Sequence, residues 1–288
     1  MNIRQFTPES LPKVPAMLLR AAVKSGQQAP APQLPELVLR CDGISACSDK
    51  LDEYHGLLAW RQESVHPGWL HCLALPLHLG LLLDKGFPFK VMGLVHMENH
   101  IRQYRAVGRH EKLSISCRFD KLRRHRLGWQ FSLLTDIQVG EEMVWQGRSV
   151  SLVRHGDLPK RSLPSASANL PCGEQWHLDA NLGRQYAKVS GDYNPIHLYP
   201  WSARFFGFKS QIIHGMWSKA RCITALAPIV GEAFELSVSF RKPVFLPCDV
   251  SFHHQPEPDK GSFTLGSADG HDLHLSGKYQ RFPLAPLN

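Results

Sequence analysis

The chain has no uninterrupted apolar run of the roughly 18 residues that a membrane-crossing helix needs, no Cys-x-x-Cys pair and no Gly-x-Ser-x-Gly. The longest apolar region, Trp69 to Leu83, is broken by His71, Pro76 and His78 and reads as a buried helix. The seven cysteines, Cys41, Cys47, Cys72, Cys117, Cys172, Cys222 and Cys248, are scattered and odd in number. That argues against a disulfide framework or a structural zinc site and fits a reducing, cytoplasmic setting. Without a nucleophile elbow, Ser190 has no context for attack on an acyl group, and its hydroxyl is expected to bond to nearby backbone. The amino-terminal stretch Met1 to Pro8 is polar and no apolar core with a small-residue cleavage site follows, so no secretory signal is expected. Leu11 to Lys24, mildly amphipathic and basic, reads as a surface helix.

What is present is ordinary for a globular protein. The 288 residues are 43% hydrophobic and 20% charged, enough for a sizeable core and for two domains. A formal charge of +8 and a pI near 9.2 favour an acidic partner. No basic repeat, RNP motif or helix-turn-helix signal points to nucleic acid, which leaves phosphorylated carriers such as CoA, or an acidic carrier protein. Sixteen histidines raise the question of a metal. His253-His254 and His271/His274 lack supporting carboxylate or cysteine spacing, so no metal and no cofactor is expected there.

Gly156 to Gln175, rich in Pro, Ser and Gly, reads as a linker between residues 1–155 and 176–288. The two parts look like degenerate copies of one unit. Each has a helix-compatible apolar segment, Pro67 to Leu83 and Gly215 to Val230, followed by strand-like segments. Those of the first part begin with Val95 to Tyr104, Lys112 to Cys117, Gln130 to Ile137 and Met143 to Val153. Leu236 to Val244, Cys248 to Phe252, Ser262 to Leu265 and Leu273 to Tyr279 correspond in the second. A helix followed by antiparallel strands predicts an α+β unit in which a sheet with one buried face is covered by its helix.

The densest chemistry lies in Tyr186 to His197 (YAKVSGDYNPIH). Gly191 permits a tight turn, Asn194-Pro195 is a strong turn signal, and Pro195 can aim His197 back toward Asp192. A carboxylate and an imidazole held together can position one water and move its protons. Asp192 or His197 taken alone reads more simply as a turn residue or a structural histidine. A second element, Gln211 to Met216 (QIIHGM), opens the apolar helix. Unpartnered N–H groups at a helix start carry partial positive charge, and Gly215 lets a carbonyl come close, so its N–H is a candidate oxyanion hole. His214, just before the helix, is expected to be structural.

Tyr-x-x-x-Ser190-Gly191-Asp192-x-Asn194-Pro195-Ile196-His197, then Ala203, Phe206-Gly207 and Ile212-Ile213-His214-Gly215-Met216, resembles the MaoC-like family of (R)-specific enoyl-CoA hydratases (hydratase 2). The resemblance is close over Trp176 to Ala225 and looser around it. It implies a tandem, or double, hotdog fold, two antiparallel sheets each wrapped around a long helix, with the motif only in the carboxy-terminal unit. It implies Asp192 and His197 as the catalytic pair, Gly215 as oxyanion donor, and support of the loop by Ser190, Gly191, Asn194 and Pro195. It also implies an acyl-CoA or acyl carrier protein thioester as substrate, and a homodimer of such protomers is one arrangement it allows. The degenerate first half would complete the pseudo-dimer and wall the acyl pocket. Tyr199 stands where many relatives have an acidic residue; with Trp201 and Met216 it is a candidate substrate contact. The alternatives are a non-catalytic acyl-thioester binding protein and a hotdog thioesterase. Basic residues around the motif, Arg184, Lys188, Arg204, Lys209, Lys219, Arg221, Arg241 and Lys242, are solvated or meet the carrier's acidic groups.

Overall fold

The computed structural model describes residues 2–26, 31–154 and 170–282. Its first part runs β1 (Asn2–Phe6), α1 (Val14–Val23), β2 (Leu37–Ser45), α2 (Leu51–Leu58), α3 (Pro67–Leu73), α4 (Leu75–Leu83), β3 (Val95–Gln103), β4 (Lys112–His125), β5 (Gly128–Val139) and β6 (Glu142–Arg154). The second part runs β7 (Glu174–Leu178), α5 (Leu182–Ser190), α6 (Pro200–Phe205), α7 (Gly215–Val230), β8 (Phe234–Phe240), β9 (Cys248–Pro256), β10 (Lys260–Ser267) and β11 (Leu273–Arg281).

Alternation explains the strands. In β4, Leu113, Ile115 and Cys117 are buried while Ser114 and Ser116 between them are not, so one face of the sheet is dry and the other is wetter. The strands join in the order β1-β2-β4-β5-β6-β3-β8-β11-β10-β9-β7. Outward from the centre, β3-β6-β5-β4-β2 and β8-β11-β10-β9-β7 repeat one internal order. The sheet is antiparallel apart from β1, which pairs parallel with β2. With its helices the chain is α+β.

Three expectations are corrected. The strands form one continuous sheet, not two, because β3 and β8 pair antiparallel from Glu98↔Ser239 to Gln103↔Phe234. Pairing these two strands leaves neither with an open edge at the seam. The expected helix Pro67 to Leu83 is divided at Ala74 into α3 and α4, since Pro76 has no N–H to give the carbonyl of Cys72 and its ring crowds that turn. The expected linker lies mostly outside the described residues, and its last two residues, Glu174 and Gln175, already pair in β7 with Phe252 and Ser251. The amino-terminal surface helix falls at α1, where only Met17 and Ala21 are buried.

α7 is the central helix of the second half. Trp217, Ser218, Lys219, Ala220, Cys222, Ile223, Leu226, Ala227 and Val230 are all buried, so it is covered on most sides. It packs on α3, α2, β8 and β11. No helix among the described residues is long and apolar enough to cross a membrane.

Burial of histidine makes the fold sensitive to mild acid. His55, His66, His71, His78, His96, His197, His214 and His274 are all held below the ordinary imidazole value, first by burial. The unfolded chain therefore takes up protons near pH 6.5 that the native chain refuses. The stability of the neutral native imidazoles is fully present above that pH and declines as the pH falls through it. Carboxylates, which titrate near pH 4, do not contribute in this window. The melting temperature is expected to drop between about pH 7.5 and about pH 5; a flat or rising trend across that range, measured by calorimetry, contradicts this account.

Candidate active site

α5 stops where its sequence makes continuation costly. Gly191 takes the left-handed conformation, φ 80°, which a side chain would strain. The Ser190 hydroxyl donates to the Tyr186 carbonyl at 2.7 Å and accepts from the Asp192 N–H at 3.2 Å. Asp192 Oδ1 accepts from the Asn194 N–H, and Asn194 Oδ1 accepts from the Ile196 N–H, giving two successive side-chain turns. A single 3₁₀ turn, Pro195–His197, follows. It lies so close to α5 that a Cβ on Gly183 would stand 2.2 Å from the His197 carbonyl oxygen.

This loop and the segment leading into α7 hold each other. His197 Nδ1 donates to the Ile212 carbonyl at 2.8 Å, and His214 Nε2 donates to the Asp192 carbonyl at 2.9 Å. The acceptors are carbonyls, so each bond sets a tautomer: neutral His197 keeps its lone pair on Nε2, and neutral His214 keeps it on Nδ1. The two rings stack with centroids 3.7 Å apart. Burial, and then the neighbouring imidazole, push His197 well down from its ordinary value, against an opposing pull from Asp192. At neutral pH it is an uncharged base.

Ligand-capable atoms of Asp192, His197 and His214 lie within 4.8 Å of one another. That spacing suits one water between a carboxylate and an imidazole. Two imidazoles and a carboxylate also have the donor types of a divalent transition-metal site.

The start of α7 completes the cluster. His214 is its N-cap but makes no side-chain cap, so the first N–H groups keep their partial positive charge open to a ligand. The corresponding histidine of the first half behaves differently. His66 Nδ1 accepts from the Gly68 N–H at 2.8 Å, capping α3, while its Nε2 donates to the Ala220 carbonyl of α7 at 3.2 Å. The bare side of Gly215 faces the Phe240 ring, where a Cβ would lie 3.0 Å from Cε1. Its glycine therefore makes room for Phe240 rather than opening space directly above the helix.

The first half also supports the loop. Tyr54 and Cys72 pack against Tyr186, and Tyr186 packs on His214 with ring centroids 4.9 Å apart. Leu75 and Val14 border Gly191.

Of the residues singled out from sequence, Asp192, His197 and the Gly215 helix start come together, with Ser190, Gly191, Asn194 and Pro195 shaping the loop. Tyr199 and Trp201 stack on each other at the surface, Trp201 being 71% exposed, with Arg184 over the Tyr199 ring. Met216 is half-buried against the core. His214, expected from the sequence to be structural, makes a structural bond to the Asp192 carbonyl and thereby adds a second imidazole to the cluster. Lys219 is corrected: it is buried at 1% exposure and cannot meet a carrier in solvent. Other basic residues are engaged, Lys188 with Glu53 and Arg221 over Trp176.

Comparison with known proteins agrees with this architecture. Residues 175–271 match the family model of the MaoC like domain. Over 275 residues the chain is 30% identical to 3-hydroxyacyl-thioester dehydratase X of Mycobacterium tuberculosis, covering 92% of this chain and 94% of that one. The crystal structure of HtdX from the same organism superposes with a TM-score of 0.76 at 26% identity, over 85% of this chain and 100% of that chain. A shorter match, 40% over 67 residues, covers 22% of this chain and 39% of the mitochondrial 3-hydroxyacyl-[acyl-carrier-protein] dehydratase of Arabidopsis thaliana. With the domain match falling on the loop and helix start just described, and the similarity to the dehydratase extending along nearly the whole chain, the protein belongs to the MaoC-like dehydratase family.

Proposed function

We propose that the protein is a hydro-lyase that reversibly hydrates trans-2-enoyl thioesters, carried by CoA or an acyl carrier protein, to (R)-3-hydroxyacyl thioesters. The hydro-lyase class follows from family membership. The observation that carries the assignment of residues is the meeting of Asp192, His197 and an uncapped helix start within one cluster.

In hydration, the thioester oxygen accepts the Gly215 N–H, which draws electrons from C3. His197 Nε2, left as an acceptor by the bond from Nδ1 to Ile212, takes a proton from a water held with Asp192. The water oxygen bonds to C3 and negative charge moves to the thioester oxygen as the enolate. The proton is then returned to C2, the carbonyl re-forms, and the sum is addition of one water. One oxyanion donor typically supplies about 3 kcal/mol to such a transition state.

We read the repeated half-sheets as two hotdog units in tandem, joined through β3 and β8, with the chemistry confined to residues 176–288. Residues 1–155 then act as the supporting half. The contrast between His66, whose side chain caps its own helix, and His214, which leaves its helix start free, supports that division.

Asp192→Asn and His197→Gln are each expected to lower turnover by about 10²–10⁴-fold, followed as loss of the enoyl absorbance with crotonyl-CoA and longer enoyl-CoAs. Wild-type rates in either variant refute the assignment. Release of free thiol from acyl-CoA would point to a thioesterase instead, and tight binding without turnover to a non-catalytic acyl-thioester protein. Because His197 is held neutral, the acid limb of kcat/KM is expected below the ordinary imidazole value of about 6.5; a limb at or above that value removes His197 as the base. The sequence of steps is complete without a metal, so dialysis against a chelator is expected to leave the rate unchanged. A loss that a divalent cation restores would reassign Asp192, His197 and His214 as ligands.

A further inference from the structure

Among the described residues, Lys219 is the only lysine, arginine, aspartate or glutamate that is fully buried. It lies one turn beyond Gly215 on α7, about 6 Å along the axis. Its ammonium donates to Asn99 Oδ1 of β3, and Asn99 Nδ2 donates to Ser149 Oγ of β6 at 2.9 Å. An ammonium has three donors, and this one faces a neutral amide rather than a carboxylate. Burying a charge without an opposite partner is costly. Burial alone pulls Lys219 down to about 7, so it can still be charged when an acceptor arrives.

The surroundings are basic too. His96 of β3 packs on Phe240 with centroids 5.1 Å apart, and Phe240 lies against Gly215. His96 Nε2 is buried with no hydrogen-bond partner. His71 of α3 packs on His78, 5.1 Å away, and His78 is bonded to Thr135 at 2.7 Å. The positive charge of Lys219 pushes both His71 and His96 down, while the negative charge of Asp192 pulls His96 up, and Phe240 connects His96 to Gly215 at the candidate active site. His71 and His96 sit deep among other residues yet retain accessible surface, as the lining of an internal cleft does. The group draws on both halves: His71, His96 and Asn99 come from the first, and Lys219 and Phe240 from the second.

We propose that Lys219, His96 and His71 form a subsite for an oxygen acceptor, a carboxylate or a ketone, on the acyl chain a few bonds beyond C3. The enzyme then prefers oxygen-bearing acyl thioesters to plain alkyl ones of the same length. This rests on the reading that Gly215 holds the thioester oxygen. That anchor sets the acyl chain running from the helix start toward Lys219. A purely structural Lys219, tying α7 to β3 through Asn99, would affect all substrates alike.

The test measures binding and turnover separately. Calorimetry on the wild-type protein compares saturated six-carbon acyl-CoAs ending in a carboxylate, a methyl ketone or a methyl group; kcat/KM is measured for the matching trans-2-enoyl thioesters. At least one oxygen-bearing chain is expected to bind ten-fold or more tightly than the alkyl chain, and which one does so tells an anionic group from a neutral carbonyl. Lys219→Met is expected to bring the affinity ratio to within two-fold of unity, and His96→Phe to reduce it. Equal wild-type affinity for all three, or an unchanged ratio in folded Lys219→Met, overturns the subsite. Should Lys219→Met not fold, the wild-type comparison and His96→Phe decide the matter. Discrimination in binding with no turnover of any enoyl thioester supports the subsite and removes the hydratase reading instead.

Discussion

Two imidazole-to-carbonyl hydrogen bonds hold the candidate site together. His197 reaches from the loop to the Ile212 carbonyl, and His214 reaches from the helix start to the Asp192 carbonyl. Each segment thus supplies both a donor ring and an acceptor, and the rings stack where the bonds cross. Each bond also leaves one ring nitrogen without a proton. Because the site is buried, losing either acceptor would strand a desolvated donor, a penalty of about 1–3 kcal/mol. In the resting site the rings are neutral, because burial disfavours charge on either and a second charge would repel the first across the stack. The geometry that leaves a lone pair on His197 is therefore also what keeps the ring uncharged.

The two halves show how one architecture gives one site rather than two. Both central helices begin after a histidine. His66 turns Nδ1 onto its own helix and Nε2 onto α7, so the first helix start is filled from within. His214 turns away, toward the loop, and its helix start is left to bind something else. No loop of the Gly-Asp-x-Asn-Pro-x-His kind stands opposite His66 in the sequence. The first half instead places Tyr54, Cys72 and Leu75 under the loop of the second. The seam through β3 and β8 makes that support rigid, because neither half can shift without breaking the register of a shared sheet.

Local signals in the sequence were legible where one residue type has one job. Gly191 and Asn194-Pro195 predict the turns that form, and alternation in Lys112 to Cys117 predicts β4. What required three dimensions was anything decided by a distant partner. The division at Ala74 had a local cue in Pro76, but the apolar run on both sides of it masked the break. The β3–β8 pairing joins residues more than a hundred positions apart, and no local periodicity records it. His214 reads as structural in the sequence, but only the fold shows that its acceptor is Asp192, twenty-two residues earlier. Lys219 failed for a related reason: surface exposure is the default for lysine, and only the neighbours of α7 reveal the exception.

That exception bears on the division of labour between the halves. A net stability of about 5–15 kcal/mol leaves little room for a buried ammonium facing only an amide, since desolvating one ion costs several kcal/mol. A hydrophobic residue of similar length at position 219 would fill the same space between α7 and β3 without that cost. If the position served only to pack the seam, the charge would be a liability with no offset. Lys219 stands near His96, whose Nε2 is buried without a partner, while its own ammonium has one amide acceptor for three donors. Unsatisfied donors become useful when a ligand brings the acceptor, because the protein has already met the cost of orienting and desolvating them. On this argument the first half is more than a scaffold. In the proposed subsite it supplies His71 and His96 to meet the acyl chain, with Asn99 positioning Lys219, while the proposed acid–base pair at the head of the chain comes from the second half.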